Sequence, residues 1–246
     1  MAVSHGKSGV IWINNTDFSG HANSMSLSID TDVAETTSFA DAAKTYLPGD
    51  TSFTLSYEGF FDHTDGGTGD VAFAAAITNA GTQSVLFAPL GIADGVEPVY
   101  ELQCLWTAMP QVVSVGDVTR VSGSFQGNTA DGLSRGYVVM NETVTATPTG
   151  TGRLIGATTT PQVVVMTYRV TSMTGSITMA CNGSSDDGGG DAYGAIANLA
   201  SGAIAADGIV RATDSATTEA WRQVQVTSGP TTAAVLVTAT NVPAFS

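Results

Sequence analysis

The side chains with the most chemistry in them are few, and they are scattered. The three histidines, His5, His21 and His63, share no HxxxH or HxH spacing. Neither a metal-ligating pair nor a local acid–base pair is therefore written into the chain, and surface or turn histidines are expected. Gly6-Lys7-Ser8 ends like a phosphate-binding loop, but the required first glycine, a preceding strand and a following helix are absent. Asp186-Asp187-Gly188-Gly189-Gly190-Asp191 has the texture of a calcium loop without its regular ligand spacing or terminal Glu. An acidic turn is the expectation there. Trp12, Trp106 and Trp221 have the chemistry of a sugar platform. Trp106 falls on the apolar side of its segment, where core packing claims it, and Trp221 stays open. Cys104 and Cys181 lie far apart with no CxxC motif, so reduced core thiols are favoured over a disulfide and a zinc site is not expected. No Ser, His and Asp constellation is suggested by local context, so neither an enzyme nor a cofactor is expected.

The elements that would carry these groups are mostly strands. Alternation of period two dominates the first half. Over residues 24–33, Ser24, Ser26, Ser28 and Asp30 alternate with Met25, Leu27, Ile29 and Val33. Over 51–61, Phe53, Leu55, Tyr57 and Phe61 oppose Ser52, Thr54, Ser56 and Glu58. Over 97–107, Tyr100, Leu102, Cys104 and Trp106 oppose Glu97, Val99, Glu101 and Gln103. Over 118–126, Val121 and Phe125 oppose Arg120, Ser122, Ser124 and Gln126. Each reads as a strand with one buried and one wet face. Asp70 to Gly81 is Ala-rich with an N-cap and a closing Gly, and reads as one helix. A short strand at 84–89 follows. The segment 35–50 is a loop longer than a hairpin needs, and such loops tend to be functional.

Residues 127–136 form a polar, Gly-rich stretch, placed as a domain boundary. Beyond it, strands are expected at 163–171, 175–181, 219–227 and 231–240, separated by Gly, Asp and Ser turns. That pattern fits a second β-sandwich, Ig-like or jelly-roll. The fold class is mainly β: a sandwich with one helix over 1–135, then an accessory sandwich over 136–246.

Charge and composition narrow the class of function. In 246 residues there are 8 Lys and Arg against 22 Asp and Glu, a formal net charge of −14. Nucleic-acid binding along the phosphate backbone needs the opposite balance. Only 12 % of residues are charged, about half the usual share. A surface finished with Ser, Thr, Asn and Gly suits a protein that buries its outside against copies of itself. The wet face of the first sheet carries small polar side chains with Asp30, Glu58, Glu97 and Glu101 against one Arg120. It offers no aromatic on which bases stack, and like charge lets a polyanion pass without sticking. The polar start, 1–9, lacks the apolar run of a signal peptide, and no stretch approaches a membrane-spanning length, so no membrane insertion is expected.

The stretch 33–62 resembles the tail tube (major tail) proteins of long, non-contractile-tailed phages. The resemblance rests on Glu35-Thr36-Thr37, Phe39-Ala40-Asp41, Lys44-Thr45-Tyr46, Pro48-Gly49 and Gly59-Phe60-Phe61-Asp62. Ala40 departs from the commoner Gly. The order of the helix, Phe87-Ala88-Pro89 and the strand after Gly116-Asp117-Val118 is also similar. The resemblance implies a subunit of six-fold rings stacked into a tube, located in the virion tail and assembled in the host cytoplasm. Its partners would be itself and other tail proteins such as the tape measure and the terminator, with DNA passing through unbound. The lumen face would be Asp30, Glu58, Glu97, Glu101 and Arg120. The inter-subunit loop would be Glu35, Thr36, Thr37, Phe39, Asp41, Lys44, Tyr46, Pro48 and Gly49. The second half looks like accessory domains that decorate such tubes, where host-surface glycans are a candidate ligand. Rival readings are a head decoration protein and a carbohydrate-binding adhesin.

Overall fold

The computed structural model describes residues 8–36, 43–61, 81–92, 97–113, 117–128, 132–158, 162–215 and 218–242. In chain order the strands are β1 (Val10–Ile13), β2 (Thr16–Asp17), β3 (Ala22–Glu35), β4 (Tyr46–Phe60), β5 (Gln83–Ala88), β6 (Val99–Ala108), β7 (Gln111–Val112) and β8 (Arg120–Gly127). They continue as β9 (Leu133–Val144), β10 (Arg153–Leu154), β11 (Val163–Thr174), β12 (Ile177–Ser184), β13 (Gly194–Ala195), β14 (Gly202–Ile204), β15 (Gly208–Asp214), β16 (Trp221–Ser228) and β17 (Thr232–Val242). A 3-10 turn covers Ala197–Leu199. The protein is mainly β, as expected. The predicted helix lies outside the described residues except for Gly81.

The strands form two sheets. The larger runs β15-β11-β17-β9-β6-β5-β1-β2, with β3, β4, β7 and β8 branching from β6. The smaller runs β10-β16-β12-β13, with β14 also on β12. One edge of β6 explains the branch. Its residues Val99 to Leu102 pair with the start of β9, and Cys104 to Ala108 pair with the end of β8. The chain leaves this edge at Gly127 and returns to it at Leu133. The stretch read as a polar boundary loop is therefore partly strand. Leu133 is buried in the core, and the Ser134 hydroxyl lies 2.8 Å from that of Thr240.

Two main cores follow from the alternation. The first is aromatic, with Phe18, Phe53, Tyr57 and Phe125 buried and Trp106 packed against them. Trp106 stacks 4.0 Å from the Phe125 ring centroid, which answers its sequence reading as a core residue. The pattern Val121, Gly123, Phe125, Gly127 on β8 has a steric reason. A Cβ at Gly123 would meet the Tyr57 ring at 2.3 Å, and one at Gly127 the Phe53 ring at 2.5 Å, so the glycines seat the two aromatics. The second core is aliphatic, built by Val164, Met166, Val170, Ile177, Met179, Val224, Val226, Val235 and Val237. A small third cluster of Leu86, Ala88, Val99, Val138 and Leu236 lies where β5, β6, β9 and β17 come together. Cys104 and Cys181 are separate buried free thiols, both pushed up to about 12 by burial.

Candidate functional site: an exposed arm beside a hydroxyl-rich face

β4 is 15 residues long, roughly 50 Å at the usual rise per residue. Only its second half, Thr54 to Phe60, pairs with β8. The first half pairs with β3 alone. The result is a two-stranded arm reaching beyond the sheet. The segment 35–50 was expected as a loop, and this is a correction: Glu35 closes β3, and Tyr46, Pro48 and Gly49 belong to β4. Pairing continues because Val33, Ala34 and Glu35 meet Pro48, Leu47 and Tyr46 across the ladder. A bulge between Thr31 and Val33 sets Asp32 against Gly49 and Asp50, which twists the arm locally. At its outer end the Thr36 N–H donates to the Thr45 carbonyl at 2.9 Å, and Lys44 Nζ lies 2.9 Å from Glu35. Thr37, Phe39 and Asp41 lie outside the described residues.

The arm is apolar where it has no neighbour. Ile29 is 52 % exposed, Val33 64 %, Tyr46 53 % and Leu47 59 %. By the pairing, Ile29, Val33, Pro48 and Tyr46 continue the core side of the sheet past the point where the core ends. An isolated hairpin is marginal in water, and a row of exposed large apolar side chains on one marks a contact surface. Among the described residues β3 pairs only with β4, and beyond Ala22, whose N–H donates to the Phe18 carbonyl, its outer edge is a template for another chain.

On the other side of the same strands lies a face made almost wholly of short hydroxyls. Ser24, Ser26, Ser28 and Asp30 of β3 register with Glu58, Ser56, Thr54 and Ser52 of β4. Ser122, Ser124 and Gln126 of β8 continue the rows. Asp30 and Glu58 are exposed on this face. They stand about six residues apart along β4, near 20 Å, so they share no ligand. Glu58 and Arg120 line one shallow cleft with Asn23 and Ser122, and Arg120 also lies 3.6 Å from Asp117.

The structure corrects the face at Glu101. That side chain is 3 % exposed, and its carboxylate accepts from Arg169 Nη1 at 2.6 Å, Arg169 Nη2 at 2.7 Å and the Thr238 hydroxyl at 2.5 Å. Both sides of β6 are covered over Val99 to Leu102, because the outer side of β11 and β17 packs where a wet face was expected. Val99 is buried there too. Glu97 precedes β6 half-buried, with Oε2 enclosed and without a hydrogen-bond partner. Of the five expected lumen residues, Asp30, Glu58 and Arg120 share one exposed face. Glu101 is withdrawn from it.

Other candidates take ordinary structural roles. In the acidic turn, Asp186 accepts from the Gly190 and Asp191 N–H groups, Asp187 from the Tyr193 hydroxyl at 2.6 Å, and Asp191 from the Ser185 N–H at 2.9 Å. These carboxylates are spent on the turn itself. Among the described residues no group of three or more His, Cys, Asp or Glu is placed to hold a metal. No Gly-x-Ser-x-Gly elbow was expected, and this is a correction at the level of sequence: Gly132-Leu133-Ser134-Arg135-Gly136 has that spacing. Ser134 lies within β9, 2 % exposed, with its hydroxyl shared with Thr240 and 3.4 Å from the Glu101 carbonyl. An elbow nucleophile needs an exposed oxygen on a strand-to-helix turn, and Ser134 has neither.

No family model and no curated protein matches the chain. Solved structures do. A chain of the native gene transfer agent virion is 13 % identical, with a TM-score of 0.43, over 53 % of this chain and 97 % of its own. A chain of the PVC sheath-tube complex, an extracellular contractile injection system, is 12 % identical, with a TM-score of 0.41, over 54 % and 90 %. The Dit protein of phage SPP1, described as a hub adsorption apparatus, is 10 % identical, with a TM-score of 0.36, over 95 % and 98 %. Among the described residues this chain presents an apolar arm that no further strand pairs and an acidic, hydroxyl-rich face without cation or aromatic clusters.

Proposed function

We propose that this chain is a structural subunit of a phage-type tail, without an active site, that polymerises into stacked rings around a DNA conduit. The observation that carries the reading is the β3–β4 arm. Its exposed Ile29, Val33, Tyr46 and Leu47 and the edge of β3 that no described strand pairs are satisfied when another copy covers them. The Ser and Thr face with Asp30 and Glu58 then forms the conduit wall. Short hydroxyls hold a hydration layer, and the carboxylates repel phosphate, so DNA slides instead of adsorbing. Arg120, beside Glu58 and Asp117, leaves no free cation cluster there. Residues 1–135 form the tube part and 136–246 an outer accessory part in this reading. Partners are other copies and further tail proteins, in the virion tail, with assembly in the host cytoplasm.

Negative-stain electron microscopy of the concentrated chain tests this. Hollow tubes of uniform bore are expected, with Tyr46→Ser/Leu47→Ser lacking them. A parent chain that stays monomeric both alone and with tail initiator proteins overturns the reading.

A further inference from the structure

The large sheet does not continue flat from β6 to β15. It folds at β9, so that β11, three strands away in the ladder, comes back to touch β6, β5 and the β1–β2 turn. Arg169 of β11 makes that contact. It is 0 % exposed, and its fork is almost fully engaged. Nη1 and Nη2 grip the two Glu101 oxygens at 2.6 and 2.7 Å. Nε donates to the Asn14 carbonyl at 2.8 Å and Nη2 to the Ser84 hydroxyl at 3.3 Å. Thr238 of β17 completes the Glu101 shell.

The rest of this contact is smooth. Leu86, Ala88, Val99, Val138 and Leu236 are aliphatic, and such packing is non-directional. It does not by itself prefer one angle of the fold over its neighbours. The main chain adds the short pairing of Val99 to Leu102 with β9 and one further bond, from the Gln103 N–H to the Gly132 carbonyl at 2.6 Å. A planar guanidinium held bidentately is directional. Sliding by one residue, about 3.4 Å, breaks every one of its bonds together and strands two charges out of water. Against well-packed apolar residues a buried pair yields little stability, and its best-attested use is to specify one arrangement.

We propose that Glu101 and Arg169 are an alignment key: they select one angle between β1–β8 and β9–β17 across the fold at β9. Both are positioning residues and touch no ligand. The key is a property of the single chain, so it stands apart from the polymer reading.

Spin labels at Ser56→Cys and Thr213→Cys, both exposed, report the angle as a distance in dilute monomer. Cys104 and Cys181 are buried and stay unlabelled. The parent is expected to show one narrow distance. Glu101→Leu/Arg169→Leu is expected to unfold cooperatively, as the parent does, with the distance distribution at least doubled in width or split. Arg169→Lys, which keeps the charge and loses the fork, broadens it as well. A folded double variant with the parent's narrow distance overturns the proposal. So does a double variant that cannot fold, since the pair would then serve stability. An unbroadened Arg169→Lys overturns the role of the fork.

Discussion

Removing one partner of the Glu101–Arg169 pair has a sign that follows from burial alone. Arg169→Met leaves the Glu101 carboxylate out of water with only Thr238 as a donor. A loss of about 3–5 kcal/mol is expected in urea unfolding, the usual cost of breaking a buried pair from one side. Glu101→Lys sets two cations together and is expected to prevent folding, so it cannot probe a conduit. That consequence was invisible in sequence. Glu101 alternates correctly with Tyr100 and Leu102, but a period of two says only that two faces differ, not that either is wet. What covers the second face is Arg169, 68 residues along the chain. A milder titration belongs to Asp186. Its carboxyl is held below the ordinary value first by the Gly190 N–H, then by Asp191. The folded value is depressed, so the contribution is present above the ordinary carboxylate pKa and fades as pH falls through the depressed one. The Gly190 and Asp191 amide shifts are expected to move together in that acid range by NMR and to be flat in Asp186→Asn.

At the scale of elements, the strands with a clean alternation and strong β formers were legible: β3, β4, β6, β8, β11, β12, β16 and β17 all fall on segments read as strands. β9 was not, because its start is written in Gly, Ser and Arg and one of its two partners, β17, lies about ninety residues further along the chain. Gly136 shows how tight that pairing is. A Cβ there would meet the Ala239 carbonyl oxygen at 1.9 Å, and backbone cannot step aside cheaply. Gly136→Ala is expected to destabilise the fold by several times the effect of Gly20→Ala, whose Cβ meets nothing, as read from paired melting curves. The arm was legible as a special segment but not as strand, since loop length is readable while tertiary extension of a ladder is not. Its exposed apolar residues contribute little to the monomer. Tyr46→Ser/Leu47→Ser is therefore expected to keep monomer stability within about 0.5 kcal/mol while abolishing assembly.

At the scale of the whole molecule, the acidic balance and the hydroxyl-rich face make one further claim that does not depend on seeing a tube. If Ser24 to Asp30, Ser52 to Glu58 and Ser122 to Gln126 form a wall past which DNA moves, their lack of affinity is a working property of that wall. Affinity for DNA is set mainly by the number of phosphates that cations neutralise, and it falls steeply with salt. The parent chain, at −14, is expected to show no binding to duplex DNA by fluorescence anisotropy even at about 50 mM salt. Asp30→Lys/Glu58→Lys changes the charge on this face by four units and leaves Arg120 without its neighbouring carboxylate at Glu58. Both positions are exposed, so the fold is expected to survive. In assembled particles the altered face repeats around the wall, and many weak cationic contacts act along one strand of phosphates. Genome release is then expected to slow, and to recover as salt rises, because screening weakens each contact. Release at the parent's rate across the salt range, from particles shown to contain the variant, would mean that this face does not line the path of the DNA.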